Sequence, residues 1–412
     1  MSRRLKVLVG AYACSPVRGT EYGVGWGWVE AISRYHDVWV LAGDSCRDDV
    51  EPELDRRPEL RERLHFHYIP RVRYLWAERV WPPAYLYTYR HQWLKAAFEV
   101  GKRLHNEVHF DLAHQLTYVG FRVPGYLWKL DLPFVWGPIG GLEQTTWRLI
   151  PALGLRGIAH FTARNILNEL DRRYSSLPKQ AFRKADGRII AATEGIRSEI
   201  KRFYGNDSTV ISEVGLPPLK RESPAARGAG EPLRLLWCGN HLPGKALPFL
   251  LRALEQVPPQ LDWRLTILGS GPCTRHWRRL AERKGLEGRC DWIGQAPRTT
   301  VLRLMQAAHA MVITSVYDLT STVLVEALAN GLPVICPDHC GFQDAISADC
   351  GIRVDATSPR NMVRGLRDAI LRLDDESYRL RLSGGALARS EQYSWEGKAL
   401  RINALYDRAL AG

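Results

Sequence analysis

Short apolar runs alternate along the whole chain with longer stretches in which apolar residues recur at helical spacing. Residues 5–12 (Leu5-Lys6-Val7-Leu8-Val9-Gly10-Ala11-Tyr12) form the first run, followed by turn chemistry and a helix-like stretch over 24–35. Further strand candidates lie at 38–41 and 65–69; a long amphipathic segment over 81–105 then precedes candidates at 112–114 and 134–136. Strands alternating with helical segments predict a parallel α/β architecture. At 217–232 proline, glycine and small residues take over, the composition of a linker. The alternation then resumes, with strands predicted at 233–238, 264–268, 291–293, 311–314 and 333–336 and helices at 247–254, 277–284 and 322–329. The chain therefore divides into two doubly wound halves, 1–216 and 233–390, and a last segment, 391–412, with a helix over 395–410. In such sheets ligands sit at the carboxyl ends of the strands, here in the cleft between the halves.

The length of 412 residues fits this division. With 45% apolar and 25% charged residues, a disordered chain, a collagen-like repeat and a coiled coil are excluded. No stretch reaches the roughly 18–20 apolar residues of a membrane-spanning helix. The basic opening Met1-Ser2-Arg3-Arg4 leads into a short apolar run that soon meets Arg18 and Glu21, a buried first strand rather than a cleaved leader. A net charge of +13 favours anionic partners, whether nucleotides, phospholipid surfaces or nucleic acid. The eight cysteines are scattered, as suits reduced thiols packed in a cytosolic protein. Cys336, His339, Cys340 and Cys350 lack the paired short spacings of a structural zinc site, so no metal is expected.

The chemistry concentrates between Thr314 and Gly341. A strand ends at Thr314, a polar loop holds Asp318, Thr320, Ser321 and Thr322, and a helix then carries Glu326 in its first turns. Free N–H groups at a helix start, beside hydroxyls, suit a phosphate. Asp318 and Glu326, eight positions apart, can face one crevice and accept hydrogen bonds from sugar hydroxyls. Read more plainly, Ser321 or Thr322 caps the helix and Glu326 is a favourable first-turn acid.

This segment resembles the GT4 family (glycosyl transferase group 1) of retaining, nucleotide-sugar-dependent glycosyltransferases. The family carries Glu, seven residues, Glu, then Ala and a small-Gly-x-Pro-Val-Ile strand. Here Asp318 is followed after seven residues by Glu326 and Ala327, and later by Gly331-Leu332-Pro333-Val334-Ile335. Two more segments support the match. In Cys238-Gly239-Asn240-His241-Leu242-Pro243-Gly244-Lys245 the family's Gly and Lys fall at Gly239 and Lys245, while its Arg is replaced by Asn240. Leu268-Gly269-Ser270-Gly271-Pro272 matches the glycine turn after the next strand. A lysine beside such a turn can neutralise a diphosphate as a point charge, and loss of the Arg shifts more of that role onto Lys245.

The resemblance implies a GT-B fold, two Rossmann-like domains facing each other across a cleft, with the C-terminal helix crossing back to the first. It implies retaining transfer of a sugar from a nucleoside diphosphate sugar to a hydroxyl, without metal or resident cofactor. Gly239, Asn240, Lys245, Gly269, Asp318, Ser321, Thr322 and Glu326 would hold the donor. Lys245 would stabilise the leaving diphosphate, Glu326 the ribose and Asp318 the donor sugar. Asp111-Leu112-Ala113-His114 matches a strand end at which relatives point a histidine at the sugar, and the family's first glycine loop places Glu21 at the cleft.

The acceptor side is read from 61–103. Nine cations (Arg61, Arg63, Arg71, Arg73, Arg79, Arg90, Lys95, Lys102 and Arg103) interleave with Tyr74, Trp76, Trp81, Tyr85, Tyr87, Tyr89 and Trp93. Aromatics beside cations suit an anionic bilayer, and a solvated basic face over core aromatics is the equal alternative. A cytoplasmic enzyme of polysaccharide biosynthesis, peripheral on the inner face of the membrane and using a glycan or lipid-linked acceptor, is the expectation. A nucleic-acid protein would leave the Asp318–Glu326 segment without purpose, and a dinucleotide oxidoreductase lacks its Gly-x-Gly-x-x-Gly and acid. A sugar-nucleotide epimerase of the same fold, or a catalytically silent paralogue, remains the rival.

Overall fold

The computed structural model describes residues 3–19, 21–70, 82–217 and 226–411, with the backbone alone at 82–89. Its α/β chain separates into two compact units.

The first unit comprises Met1–Glu143, Glu169–Gly215 and Trp395–Gly412. Its sheet is built from β1 (Lys6–Ala11), β2 (Asp37–Gly43), β3 (Leu64–Ile69), β4 (Leu112–Thr117), β5 (Phe134–Ile139), β6 (Ile189–Ala191) and β7 (Thr209–Val210). All pairs are parallel in the order β3-β2-β1-β4-β5-β6-β7, so the order reverses between β1 and β4. Strands covered on both faces need apolar side chains on both, and every residue of β4 and β5 is buried.

The helix Trp395–Ala411 belongs to this unit. Its first ring fills a notch that only glycine leaves open. A Cβ on Gly27 would lie 2.1 Å from the Trp395 ring, and one on Gly215 would lie 2.5 Å from it. Tyr406 from the same helix is fully buried beside His36 and His114.

The second unit comprises Gln144–Asn168 and Leu216–Ser394. The expected boundary at 216 misses its first part, because residues 144–168 group with the later half. Its sheet runs β8 (Leu233–Cys238), β9 (Trp263–Leu268), β10 (Cys290–Gly294), β11 (Ala310–Val312), β12 (Val334–Pro337) and β13 (Gly351–Val354). The order is β10-β9-β8-β11-β12-β13, again parallel, reversing between β8 and β11. Trp237, Trp263, Leu235, Leu265 and Ile267 anchor its core. Leu149, Ile150 and Phe161 join that core, which is why 144–168 goes with this unit. The expected linker lies partly outside the described residues. Of its described part, Arg227 is tied to Asp374 and Glu376.

Candidate functional site

The loops leaving β8 and β11 flank the reversal point of the second sheet, where a doubly wound sheet opens a crevice. The β8 loop is pinned at its start, since Gly239 N donates to the Leu268 carbonyl (3.2 Å) and His241 N to that of Ser270 (3.0 Å). Gly269 makes the close approach possible. It has φ +106°, and a Cβ there would lie 2.0 Å from the Gly239 carbonyl oxygen. Alanine at 269 is therefore expected to cost roughly 1–3 kcal/mol in chemical denaturation, by forcing the two loops apart or straining the backbone.

At the far end of the loop, buried Thr314 fixes the backbone. Its hydroxyl accepts from Trp237 Nε1 (3.0 Å) and donates to the Lys245 carbonyl (2.6 Å). Val316 N donates to the Gly244 carbonyl at 2.9 Å, and a Cβ on Gly244 would lie 2.5 Å from the Phe161 ring. With its main chain held from three directions, Lys245 reaches across the reversal point, and its Nζ lies 2.5 Å from Asp318 Oδ2. Both side chains keep partial access to water, 29% and 22% exposed.

Glu326 lies on the helix Thr322–Ala329, buried, and its Oε1 accepts from Arg298 Nε at 2.9 Å. Cys238, the last residue of β8, is close enough to both charges to feel them. Burial first and the Glu326 carboxylate second push its thiol up to about 11, and the Lys245 ammonium opposes them. Lys245, Asp318, Cys238 and Glu326 thus form one neighbourhood. Ser321 occupies the helix N-cap with φ −72° and ψ 128°, but its side chain makes no capping bond. Thr322 and Asn240 are exposed, and the Asn240 carbonyl accepts from Leu242 N at 2.8 Å.

Lys245 also borders a cavity of about 800 Å³ within this unit. Its walls are mainly apolar, from Leu153, Leu155, Phe161, Leu242, Pro243 and Tyr317.

One expectation fails. His114 is fully buried in the first unit, where its Nδ1 lies 2.6 Å from Tyr406 Oη and its Nε2 lies 2.7 Å from the Gly137 carbonyl. The cause is register. β4 runs on to Thr117, so His114 sits mid-strand opposite Val9 rather than at a carboxyl end. Burial lowers its pKa to about 4, so the ring is neutral at pH 7. It offers no atom to a sugar. Glu21 opens the helix Glu21–Ser33 and accepts from Val119 N at 3.4 Å. Its pKa is raised by burial against the opposing pull of Arg90.

The basic-aromatic segment is only partly visible. Arg71, Arg73, Tyr74, Trp76, Arg79 and Trp81 lie outside the described residues, as do the side chains of Tyr85, Tyr87 and Tyr89. Of the remainder, Trp93 is core and donates to the Ile69 carbonyl, and Arg61 is paired with Glu51 and Asp55. Arg90 stacks on Tyr118.

Two residues stand near the site without having been expected there, Arg298 and His339, the latter weighed in the sequence only as a metal ligand. Arg298 opens the helix Arg298–Ala307 just after Pro297, a signal of helix start but not of a partner for Glu326. His339 follows β12 and lies near Ser315 and Asp318; burial holds its pKa down at about 4. Among the described residues, no three or more His, Cys, Asp or Glu side chains gather in a metal-binding arrangement. No described helix is long and apolar enough to cross a membrane.

Two parallel doubly wound units, the second with a charged crevice at its reversal point, define the GT-B class of fold. Residues 220–384 match the family described as Glycosyl transferases group 1. The D-inositol 3-phosphate glycosyltransferase of Corynebacterium glutamicum (strain R) is 28% identical over 196 residues, 45% of this chain and 46% of the relative. The O-antigen chain mannosyltransferase B of Escherichia coli is 29% identical over 229 residues, 50% and 57% of the two chains. The chain thus spans about half the length of the curated relatives it matches. Among solved structures, the sucrose-phosphate synthase from Thermosynechococcus elongatus gives a TM-score of 0.67 at 20% identity, covering 99% and 100% of the two chains. Anabaena HepE in complex with UDP-glucose gives 0.59 at 15% identity, covering 99% and 100%.

Proposed function

We propose that this chain transfers a hexosyl or related residue from a nucleoside diphosphate sugar to a hydroxyl of a glycan or lipid-linked acceptor. Anomeric configuration is retained and no metal takes part. The reading rests above all on the Lys245–Asp318 pair, which sets a cation and a carboxylate side by side where the second sheet opens. As the sugar leaves, negative charge grows on the diphosphate, and pre-positioned charge at that place lowers the barrier. Lys245 supplies a point charge there, and the N–H groups at the start of helix Thr322–Ala329 add aligned dipoles. Together they do the work a divalent cation would do.

Glu326 accepts from the ribose hydroxyls, and Arg298 orients its carboxylate. Asp318 turns from Lys245 toward the donor sugar as the phosphates take over the ammonium. The reaction is placed on the cytoplasmic face of a membrane, with the protein peripheral. The transferase names of the curated relatives and the UDP-glucose held by HepE support a nucleotide-sugar donor and a glycan-type acceptor.

Purified protein is expected to melt at a higher temperature with UDP, GDP or ADP, or with one of their sugars, since a ligand that binds only the folded state stabilises it. Proton NMR of the product is expected to show the donor's anomeric configuration. Glu326→Ala is expected to weaken donor binding roughly tenfold or more, the scale of a lost charged hydrogen bond in a partly dry site. No shift with any nucleotide would reject the donor site, and an epimerised nucleotide sugar in place of a transfer product would reject the reaction.

A further inference from the structure

Buried polar groups are hydrogen-bonded almost without exception, so one that is not asks for a partner the fold does not supply. His339 is such a group. Within the described residues neither of its ring nitrogens, Nδ1 or Nε2, completes a hydrogen bond, although both are shut off from solvent. Other buried histidines fare better. His241 Nδ1 lies 2.7 Å from Thr274 Oγ1, and His309 Nδ1 accepts from Arg234 N at 3.1 Å. Among the described residues, His339 is the one histidine with both nitrogens buried and open.

Its place in the fold is the crevice of the second unit. β12 pairs in parallel with β11, Met311 opposite Val334 and Val312 opposite Ile335, so the loops leaving their carboxyl ends emerge side by side. The β11 loop carries Asp318 and the β12 loop carries His339, which stands near both Ser315 and Asp318. The next residue, Cys340, has φ +51° and ψ −150°, a region that residues with a Cβ seldom occupy. Backbone strain of this kind persists only where the surrounding fold enforces it, and it gathers at ligand sites. Here it turns the chain abruptly from His339 into helix Gly341–Ala345, whose buried Phe342 backs the imidazole at 5.7 Å between ring centres.

The chemistry of the ring narrows the ligand. Burial keeps it neutral against the opposing pull of the Ser315 carbonyl and the Asp318 carboxylate. A neutral imidazole offers one N–H donor and one acceptor nitrogen. A phosphate oxygen could use only the donor, whereas a hydroxyl can use either. Asp318, when ionised, only accepts. An acceptor beside a group that both donates and accepts complements neighbouring sugar hydroxyls.

We propose that His339 contacts the donor sugar, hydrogen-bonding a hydroxyl next to the one taken by Asp318 and so helping to select the hexosyl group. Asp318 stands beside the ring, so the turn that carries its carboxylate to the sugar also uncovers an edge of the imidazole. The residue as a whole is only half-buried, and a rotation about χ2 presents a nitrogen at that edge. The inference rests on the transferase reading and on the role given there to Asp318.

The test is titration of the full chain with UDP and GDP, and with UDP-glucose, UDP-galactose, UDP-N-acetylglucosamine and GDP-mannose. For a sugar that the wild type binds, His339→Leu is expected to weaken the nucleotide sugar roughly five- to tenfold, the scale of one lost hydrogen bond, and to leave the free diphosphate within about twofold. The unliganded Leu variant is expected to melt at or above the wild-type temperature at pH 7, because an unpaired buried ring gives way to an apolar side chain. His339→Gln keeps a donor and an acceptor and is expected to recover part of the lost affinity. Wild-type affinity for the nucleotide sugar in the Leu variant overturns the proposal. So does an equal loss for the free diphosphate, which would make the ring a prop for the loop, and so does a Leu variant that melts early or fails to fold, which would place the ring in the core. If the wild type takes none of the four nucleotide sugars, the donor reading itself fails and this inference falls with it; wild-type binding that the Leu variant shares removes only the role of His339.

Discussion

Replacing Lys245 by alanine is expected to lower sugar transfer by roughly two to three orders of magnitude, the usual effect of deleting one pre-positioned charge at a developing anion. The fold should survive. Lys245 and Asp318 are both partly in water, and such a pair contributes about 1 kcal/mol or less to stability. The main-chain bonds from Thr314 and Val316 that hold the loop do not involve the ammonium. Lys245→Arg is expected to recover part of the rate, since the charge stays but its shape and reach change. Asp318 gives the complementary result. Its carboxylate neutralises Lys245, so an arriving diphosphate competes with it for the ammonium. Asp318→Asn is therefore expected to bind free UDP or GDP more tightly while transferring sugar more slowly. Steady-state rates and nucleotide titrations on the three variants check this; near-normal turnover in Lys245→Ala would place the leaving group elsewhere.

The second large effect is on stability. The chain is expected to lose stability steeply as pH falls from 6.5 to about 4. Burial is the leading cause that brings the pKa of His114, His309 and His339 down to about 4 from the ordinary 6.5. A folded-state pKa below the unfolded one means that the unfolded chain binds the proton first. Stability is then complete above 6.5 and drains away as pH falls through the window. For His114, fully buried, a window of this width corresponds to on the order of 3 kcal/mol. That is a large share of the 5–15 kcal/mol typical of a domain. His114 lies in the first unit and the other two in the second, so both should become acid-labile. Denaturant melts between pH 7 and pH 4 measure the slope. His114→Gln is expected to lower stability at pH 7 and to flatten the slope of the first unit. If His114 instead served the reaction, that variant would lose turnover per folded molecule at pH 7, which this account does not expect.

Much of the fold is legible in the residue pattern, for a physical reason. Parallel strands covered on both faces must be short apolar runs, and the helices between them must be one-sided, so the alternation itself reports the architecture. The helix predicted at 322–329 has those bounds in the structure. The crevice is legible for a related reason. Lys245 follows one apolar strand and Asp318 another, and such charges stand out against the glycines and hydroxyl residues of the loops that carry them.

What stays hidden depends on contacts far apart in sequence. Asp111-Leu112-Ala113-His114 reads as a strand end, but the strand continues for three more residues, and that continuation moves His114 from the crevice into the core. The pairing of Glu326 with Arg298 joins two helices and leaves no local trace. The segment 144–168 cannot be assigned to its unit by periodicity, because its helix buries Asn165 and Asn168 on the same face as Phe161, so polar residues interrupt the inward stripe. Amphipathic pattern finds the inward face only where apolar residues mark it.

The most direct test of the donor site is a crystal structure of the full chain with UDP or GDP bound. The diphosphate is expected within hydrogen-bonding distance of Lys245 Nζ and the backbone N–H groups of Thr322 and Val323, with the ribose hydroxyls on Glu326. A nucleotide bound away from the β8 and β11 loops, or phosphates held while Lys245 stays paired to Asp318 and turned from them, would contradict it.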